Sequence, residues 1–143
     1  MTSERAMSPY STETVWNAGL SGTGVASHGR SLTVGYDGEW APEYLVLLAA
    51  ESSFMTTLLA LAREAGVEVL GYVSNGHLHT KTENGDAPAI ALTPCVVVAS
   101  AADAASIGRL ALTVTRQSIV ARLFGERLRV TLDVRAIPDG ESR

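Results

Sequence analysis

Residues 42–66 read PEYLVLLAAESSFMTTLLALAREAG. Pro42 suits the first position of a helix, because its missing amide proton is not needed there and its φ is already helical. Gly66 supplies the left-handed stop, so the pattern predicts one helix over 42–65, a rod of roughly 36 Å at about 1.5 Å per residue. Leu45 to Ala50 are consecutive and apolar, and Phe54, Met55, Leu58, Leu59 and Leu61 follow. Apolar side chains then point in every direction, as in a helix covered on nearly all sides. A chain of 143 residues can hardly bury such a rod by itself, which predicts a homodimer whose second copy supplies the missing cover.

Upstream of the helix, Tyr10 to Asn17 alternate, the turn glycines Gly19, Gly22, Gly24 and Gly29 follow, and Ser31 to Tyr36 form another short run. This predicts a small antiparallel meander closed by Asp37-Gly38. The glycines do not lie between a strand and a helix, so turns account for them better than a phosphate loop does. Downstream, alternation from Val67 to about Lys81, with Asn75-Gly76 as a bulge or bend, predicts a strand. A polar turn at 83–86 leads to a more uniformly apolar strand, Ala89 to Ala99, in a hairpin packed on the long helix. Pro94 suggests that this strand lies near an edge or a bulge.

Ser100 can cap a second helix with an apolar stripe at Ile107, Leu110, Ala111 and Val114. A kink or a break is expected around 116–118, before a helical piece that ends at Gly125. Strict alternation from Arg127 to Ala136 gives one last half-buried strand, terminated by Pro138. The boundaries are therefore a flexible N-terminus at 1–9, a single domain at 10–138 and a tail at 139–143, in the α+β class.

The charge balance is 11 Lys and Arg against 15 Asp and Glu, with Lys81 the single lysine. No basic stripe is available to neutralise phosphates, so neither nucleic acid nor a membrane surface is an expected partner. Glu51 and the interleaved Ser and Thr leave no uncharged run of ~18 apolar residues for a membrane span. The polar start, with Glu4 and Arg5, carries no secretory pattern. One cysteine, Cys95, makes no internal disulfide, which fits a reducing cytoplasm. Its apolar run argues for an inert core thiol with a raised pKa. His77 and His79 share a strand face, but without a third ligand nearby they read as surface or dimer-contact residues, and no metal or cofactor is expected.

Ala41-Pro42-Glu43-Tyr44-Leu45, Ser52-Ser53-Phe54-Met55 and Ala65-Gly66-Val67 together resemble the central helix of the OsmC/Ohr family, the osmotically inducible and organic hydroperoxide resistance proteins. The resemblance extends in element order over about residues 10 to 137. It implies an OsmC-like α+β fold, with an antiparallel sheet wrapped around long central helices in an intertwined homodimer. Active members of the family resemble thiol peroxidases of the oxidative stress response, with a peroxidatic cysteine in the long helix, a resolving cysteine in a later helical piece, and a glutamate with an arginine that tune the first thiol. Carried over residue by residue, the glutamate matches Glu43, the peroxidatic position matches Ser53, the resolving position matches Gln117, and the arginine falls near Leu20.

Both thiols and the arginine are thus missing, and a serine hydroxyl supplies neither a thiolate nor a sulfenic acid. Nothing like Gly-x-Ser-x-Gly surrounds Ser53, and no triad assembles from His28, His77 and His79. The resulting expectation is a non-peroxidatic dimer with a degenerate active site, binding a small lipophilic molecule in an interface pocket at Glu43, Ser53 and Gln117. The alternatives are an enzyme that acts on hydroperoxides through Cys95 or an external thiol, and a purely structural dimer.

Overall fold

The computed structural model describes residues 10–80 and 88–138. The flexible segment expected at 1–9, the turn at 83–86, Lys81 and the tail at 139–143 lie outside the described residues. The fold is α+β, in two compact units that meet in sequence between Val46 and Leu47.

The first unit holds the expected meander. Strands β1 (Thr12–Ala18), β2 (Ser21–Ala26) and β3 (Ser31–Gly35) pair antiparallel in the order β1-β2-β3. Asp37 accepts the Leu20 backbone N–H at 2.8 Å, which ties the β1–β2 turn to the segment after β3. Every residue of β1 is exposed.

Helix α1 (Pro42–Glu64) begins at the predicted proline and stops before Gly66, whose φ is +73°. Of its 23 residues four are buried, Ala50, Phe54, Leu58 and Ala62, at intervals of four along a single stripe. Burying Phe54 and Leu58 contributes about 1.5–3 kcal/mol each. By length and composition alone α1 could cross a membrane, but this stripe belongs to the core of the second unit. The same core takes in Ile90, Leu92, Val96, Val98, Ile107 and Val114.

Strands β4 (Val69–His79) and β5 (Ala89–Val98) form the predicted hairpin. The Glu51 carboxylate of α1 lies against Gly76 of β4, in the space that any Cβ there would occupy, and this places the helix on the hairpin. Gly76 is therefore a site of close approach and not the expected bulge. The register is continuous through Asn75 and Gly76 and shifts instead between Val69 and Gly71.

Helix α2 (Ala101–Gln117) is capped by Ser100, whose hydroxyl accepts the Asp103 N–H at 3.1 Å. The expected break follows at Ser118, which is extended (ψ 120°) and begins α3 (Ile119–Phe124). The final strand is split into β6 (Leu128–Val130) and β7 (Asp133–Ala136), both parallel to β5. The second sheet is therefore mixed, an antiparallel hairpin extended by two short parallel strands.

Pro94 explains the split and corrects its own reading as an edge residue. Strand β5 is central, flanked by β4 on one side and by β6 and β7 on the other. The carbonyls of Leu92 and Val98 accept from Thr131 and Ile137. Alternate residues of a strand point their backbone groups the same way, so the position of Pro94 faces that same neighbour. It has no N–H to offer. The partner chain leaves the sheet there, at 131–132, between the end of β6 and the start of β7.

Candidate functional site

Ser53 lies midway along α1 and is half-buried. Its Oγ is 2.5 Å from the Oγ of Ser118, 65 residues later in sequence. Ser118 is 2% exposed and is held from both sides. Its N–H donates to the Val114 carbonyl at 2.8 Å, while its Oγ accepts the Ala121 N–H at 3.2 Å as the N-cap of α3. A helix break filled by a capping serine thus brings a second hydroxyl onto α1.

Gln117, the residue expected to face Ser53, is exposed. It borders a surface groove of about 480 Å³ with Thr56, Thr57, Ala60, Leu61 and Glu64. The structure brings together Ser53 and Ser118, and not Ser53 and Gln117. The sequence signal for Ser118 was its place as a capping residue directly before the apolar Ile119-Val120. Ser118 is held inward between the buried Val114 and Ala121 to which it bonds, whereas Gln117, the last residue of α2, is exposed.

Glu43 lies on the first turn of α1, where the helix dipole favours a carboxylate. It accepts a hydrogen bond from the Tyr36 hydroxyl at 3.0 Å. That bond, and then the charge of Glu43, raise the pKa of the exposed Tyr36 phenol above its usual value. Leu20, near which the resemblance would place an arginine, is 62% exposed and meets Asp37 through its backbone, its N–H donating to the carboxylate and its carbonyl accepting the Asp37 N–H.

Cys95 departs from its expected core position. In β5 the residues Ile90, Leu92, Pro94, Val96 and Val98 turn inward, and Cys95 falls in the opposite phase with Ala91 and Thr93. It is a half-exposed free thiol, paired in register with Val73 of β4 and Asp133 of β7. Asp133 in turn binds Arg135 at 2.9 Å. His77 and His79 are exposed on β4, opposite Ala91 and Ala89. Among the described residues no group of three or more His, Cys, Asp or Glu is placed to hold a metal.

The second unit also contains an unsatisfied polar atom, the buried Tyr72 hydroxyl, which has no hydrogen-bond partner. Burial first, and then the nearby Glu51 charge, push the Tyr72 pKa from 10 up to about 12. A pKa raised on folding contributes stability that is complete below pH 10 and is lost as pH rises through 12. Equilibrium unfolding should therefore show a fall in stability between these values, flattened in Tyr72→Phe. An unchanged slope in that variant would assign the loss to other groups.

No family model matches the sequence, and no curated protein sequence matches it. Solved structures do. An OsmC-like protein of unknown function from Vibrio cholerae superposes with a TM-score of 0.73 at 14% identity, over 86% of this chain and 97% of the other. An OsmC-like protein from Mycoplasma pneumoniae gives 0.70 at 16% identity, over 90% and 97%. The organic hydroperoxide resistance protein OhrB of Bacillus subtilis gives 0.61 at 16% identity, over 87% and 98%. The fold is that of the OsmC-like and organic hydroperoxide resistance proteins.

Proposed function

We propose that this chain is an OsmC/Ohr-type protein that has given up thiol peroxidase chemistry and acts as a cytoplasmic homodimer binding a small lipophilic molecule at its interface. The observation that carries this reading is the Ser53–Ser118 hydroxyl pair. Peroxide reduction by two thiols needs a nucleophilic sulfur and a second sulfur close enough to close a disulfide on it. The two side chains that meet here are both hydroxyls, neither of which forms a sulfenic acid. With Ser118 as the counterpart of the resolving position, the two redox positions carry the same conservative replacement. That is simpler than a serine at one and a glutamine at the other.

Support for the dimer comes from α1. Leu48 is 44% and Tyr44 60% exposed, and Leu47, Met55, Leu59 and Leu61 are half-exposed. Apolar area of this extent on one helix is what a second copy would cover. Residues 10–138 are read as one OsmC-like domain, since the solved structures match over nearly their whole length.

A second reading is favoured by one observation, the half-exposure of Cys95. It makes the protein a hydroperoxide-detoxifying enzyme that uses this thiol with an external reductant. Turnover of an organic hydroperoxide in the presence of a dithiol separates the two. No turnover above buffer is expected. Turnover abolished by Cys95→Ser would replace the first reading with the second. Native mass spectrometry of the same protein should show a dimer with a co-purified lipophile, and a monomer at micromolar concentration would contradict the dimer.

A further inference from the structure

The mixed sheet of the second unit has one packed face and one open face. Ile90, Leu92, Val96 and Val98 of β5 turn into the core shared with α1 and α2, and alternation sends Ala91, Thr93, Cys95 and Val97 to the other side. In register across this outer face stand His77 of β4, Ala91 of β5 and Arg129 of β6. Residues directly opposite in neighbouring strands project to the same side, so an exposed imidazole and an exposed guanidinium flank a methyl group. Their Cα atoms are roughly 10 Å apart, two strand spacings. His79 is exposed on the same face, and the next row holds Asn75 and Thr93. Further along, Val73, 64% exposed, and the half-exposed Cys95 and Val97 make the face apolar. Among the described residues of β4 to β7 the one carboxylate is Asp133, which Arg135 holds at 2.9 Å, and no ion pair engages Arg129.

We propose that this outer face is a docking surface for a short acidic segment of a partner protein, its carboxylates at His77 and Arg129 across Ala91 and its apolar residues on Val73 and Val97. Imidazole and guanidinium both donate N–H groups to a carboxylate, and the face offers no free acid of its own to repel one. From Gly71 to His79 it runs about 27 Å, and three strands make it about 14 Å wide, roughly 400 Å² in all. Each side of a stable interface contributes ~800 Å², so the face suits a short segment and not a folded subunit. Helix α1 lies on the opposite side of the sheet, so a dimer held through α1 leaves this face open. No aromatic ring stands on it to stack a base. The lipophile reading of the α1 site neither supports this inference nor depends on it.

Fluorescence anisotropy tests it with a labelled ten-residue peptide that carries four glutamates at one end and three valines at the other, beside a version with glutamines for the glutamates. The proteins are wild type, Arg129→Gln and Arg109→Gln. Arg129 is exposed, so its replacement removes the charge and leaves the core untouched. Arg109→Gln removes the same charge from α2, which packs on the other side of the sheet. The glutamate peptide is expected to saturate wild type and to bind Arg129→Gln at least ~10-fold more weakly, as for loss of a charge-assisted hydrogen bond. Its binding to Arg109→Gln should stay within about twofold of wild type, because salt screens a distant exposed charge. The glutamine peptide should bind wild type at least ~10-fold more weakly. Bound peptide should also slow alkylation of Cys95, which stands between the His77 and Val97 rows. Absence of saturable binding, unslowed alkylation, or equal losses in the two arginine variants would each overturn the inference. Tighter association with phosphatidylserine vesicles than with the peptide, lost in Arg129→Gln, would replace the protein partner with a membrane surface. If Arg129→Gln dissociates a wild-type dimer in sedimentation, a second copy occupies the face and the inference fails.

Discussion

Leu58→Ala is expected to destabilise the protein by about 2–5 kcal/mol. Leu58 is fully buried, on the α1 stripe between Phe54 and Ala62, which are themselves 2% and 1% exposed. Truncation removes transfer free energy and leaves a cavity that a helix fixed at four consecutive turns collapses poorly. Leu48→Ala is the control on the same helix. Leu48 is 44% exposed, so in a dimer held through α1 its loss should act on association, giving a midpoint that depends more steeply on protein concentration. Urea unfolding of both variants at several concentrations reads the difference. A loss below roughly 0.5 kcal/mol for Leu58→Ala, the range of surface substitutions, would contradict the buried stripe.

That stripe shows how far the sequence could be read. Pro42, Gly66 and the length of the apolar run define α1, because capping and backbone preferences are local. The run could not disclose which apolar residues face the core of their own chain, since nearly all of them are apolar and only Ala50, Phe54, Leu58 and Ala62 are buried. Strand β5 hid its phase for the same reason. Its outward positions include Ala89, Ala91, Cys95 and Val97, and only Thr93 betrays the exposed side, so Cys95 read as core. The parallel attachment of β6 and β7 was out of reach because pairing joins residues far apart in sequence. The alternation from Leu128 to Ala136 continues through the gap opposite Pro94. At the candidate site, Ser53 was legible through its helix. The hydroxyl that meets it, on Ser118 beside the exposed Gln117, was not, because a helix junction reverses which side chain points inward within a single step.

That one-residue difference can be tested with a disulfide. Ser53→Cys combined with Ser118→Cys should close an intramolecular bridge under mild oxidant, because the two Oγ atoms are already 2.5 Å apart. A disulfide forms without backbone movement only when its Cα atoms lie within ~7 Å and its Cβ vectors converge. With the crosslinked residues 65 apart, loop-closure entropy gives the oxidised variant about 4 kcal/mol over its reduced form, less any strain in the bridge. Thiol titration should then find Cys95 alone reactive, intact mass should show the loss of two hydrogens, and reduction should lower the melting temperature. Ser53→Cys with Gln117→Cys is expected to stay reduced, since Gln117 is exposed in the groove bordered by Thr57 and Glu64. If the Gln117 pair closes and the Ser118 pair does not, the hydroxyl contact is wrong and the original alignment is restored. Peroxidase turnover is not expected to return with the bridge. Leu20 supplies no positive charge to lower the thiol pKa, and Glu43 remains bonded to Tyr36. A sulfur at each redox position restores the geometry of the reaction and leaves its electrostatics absent.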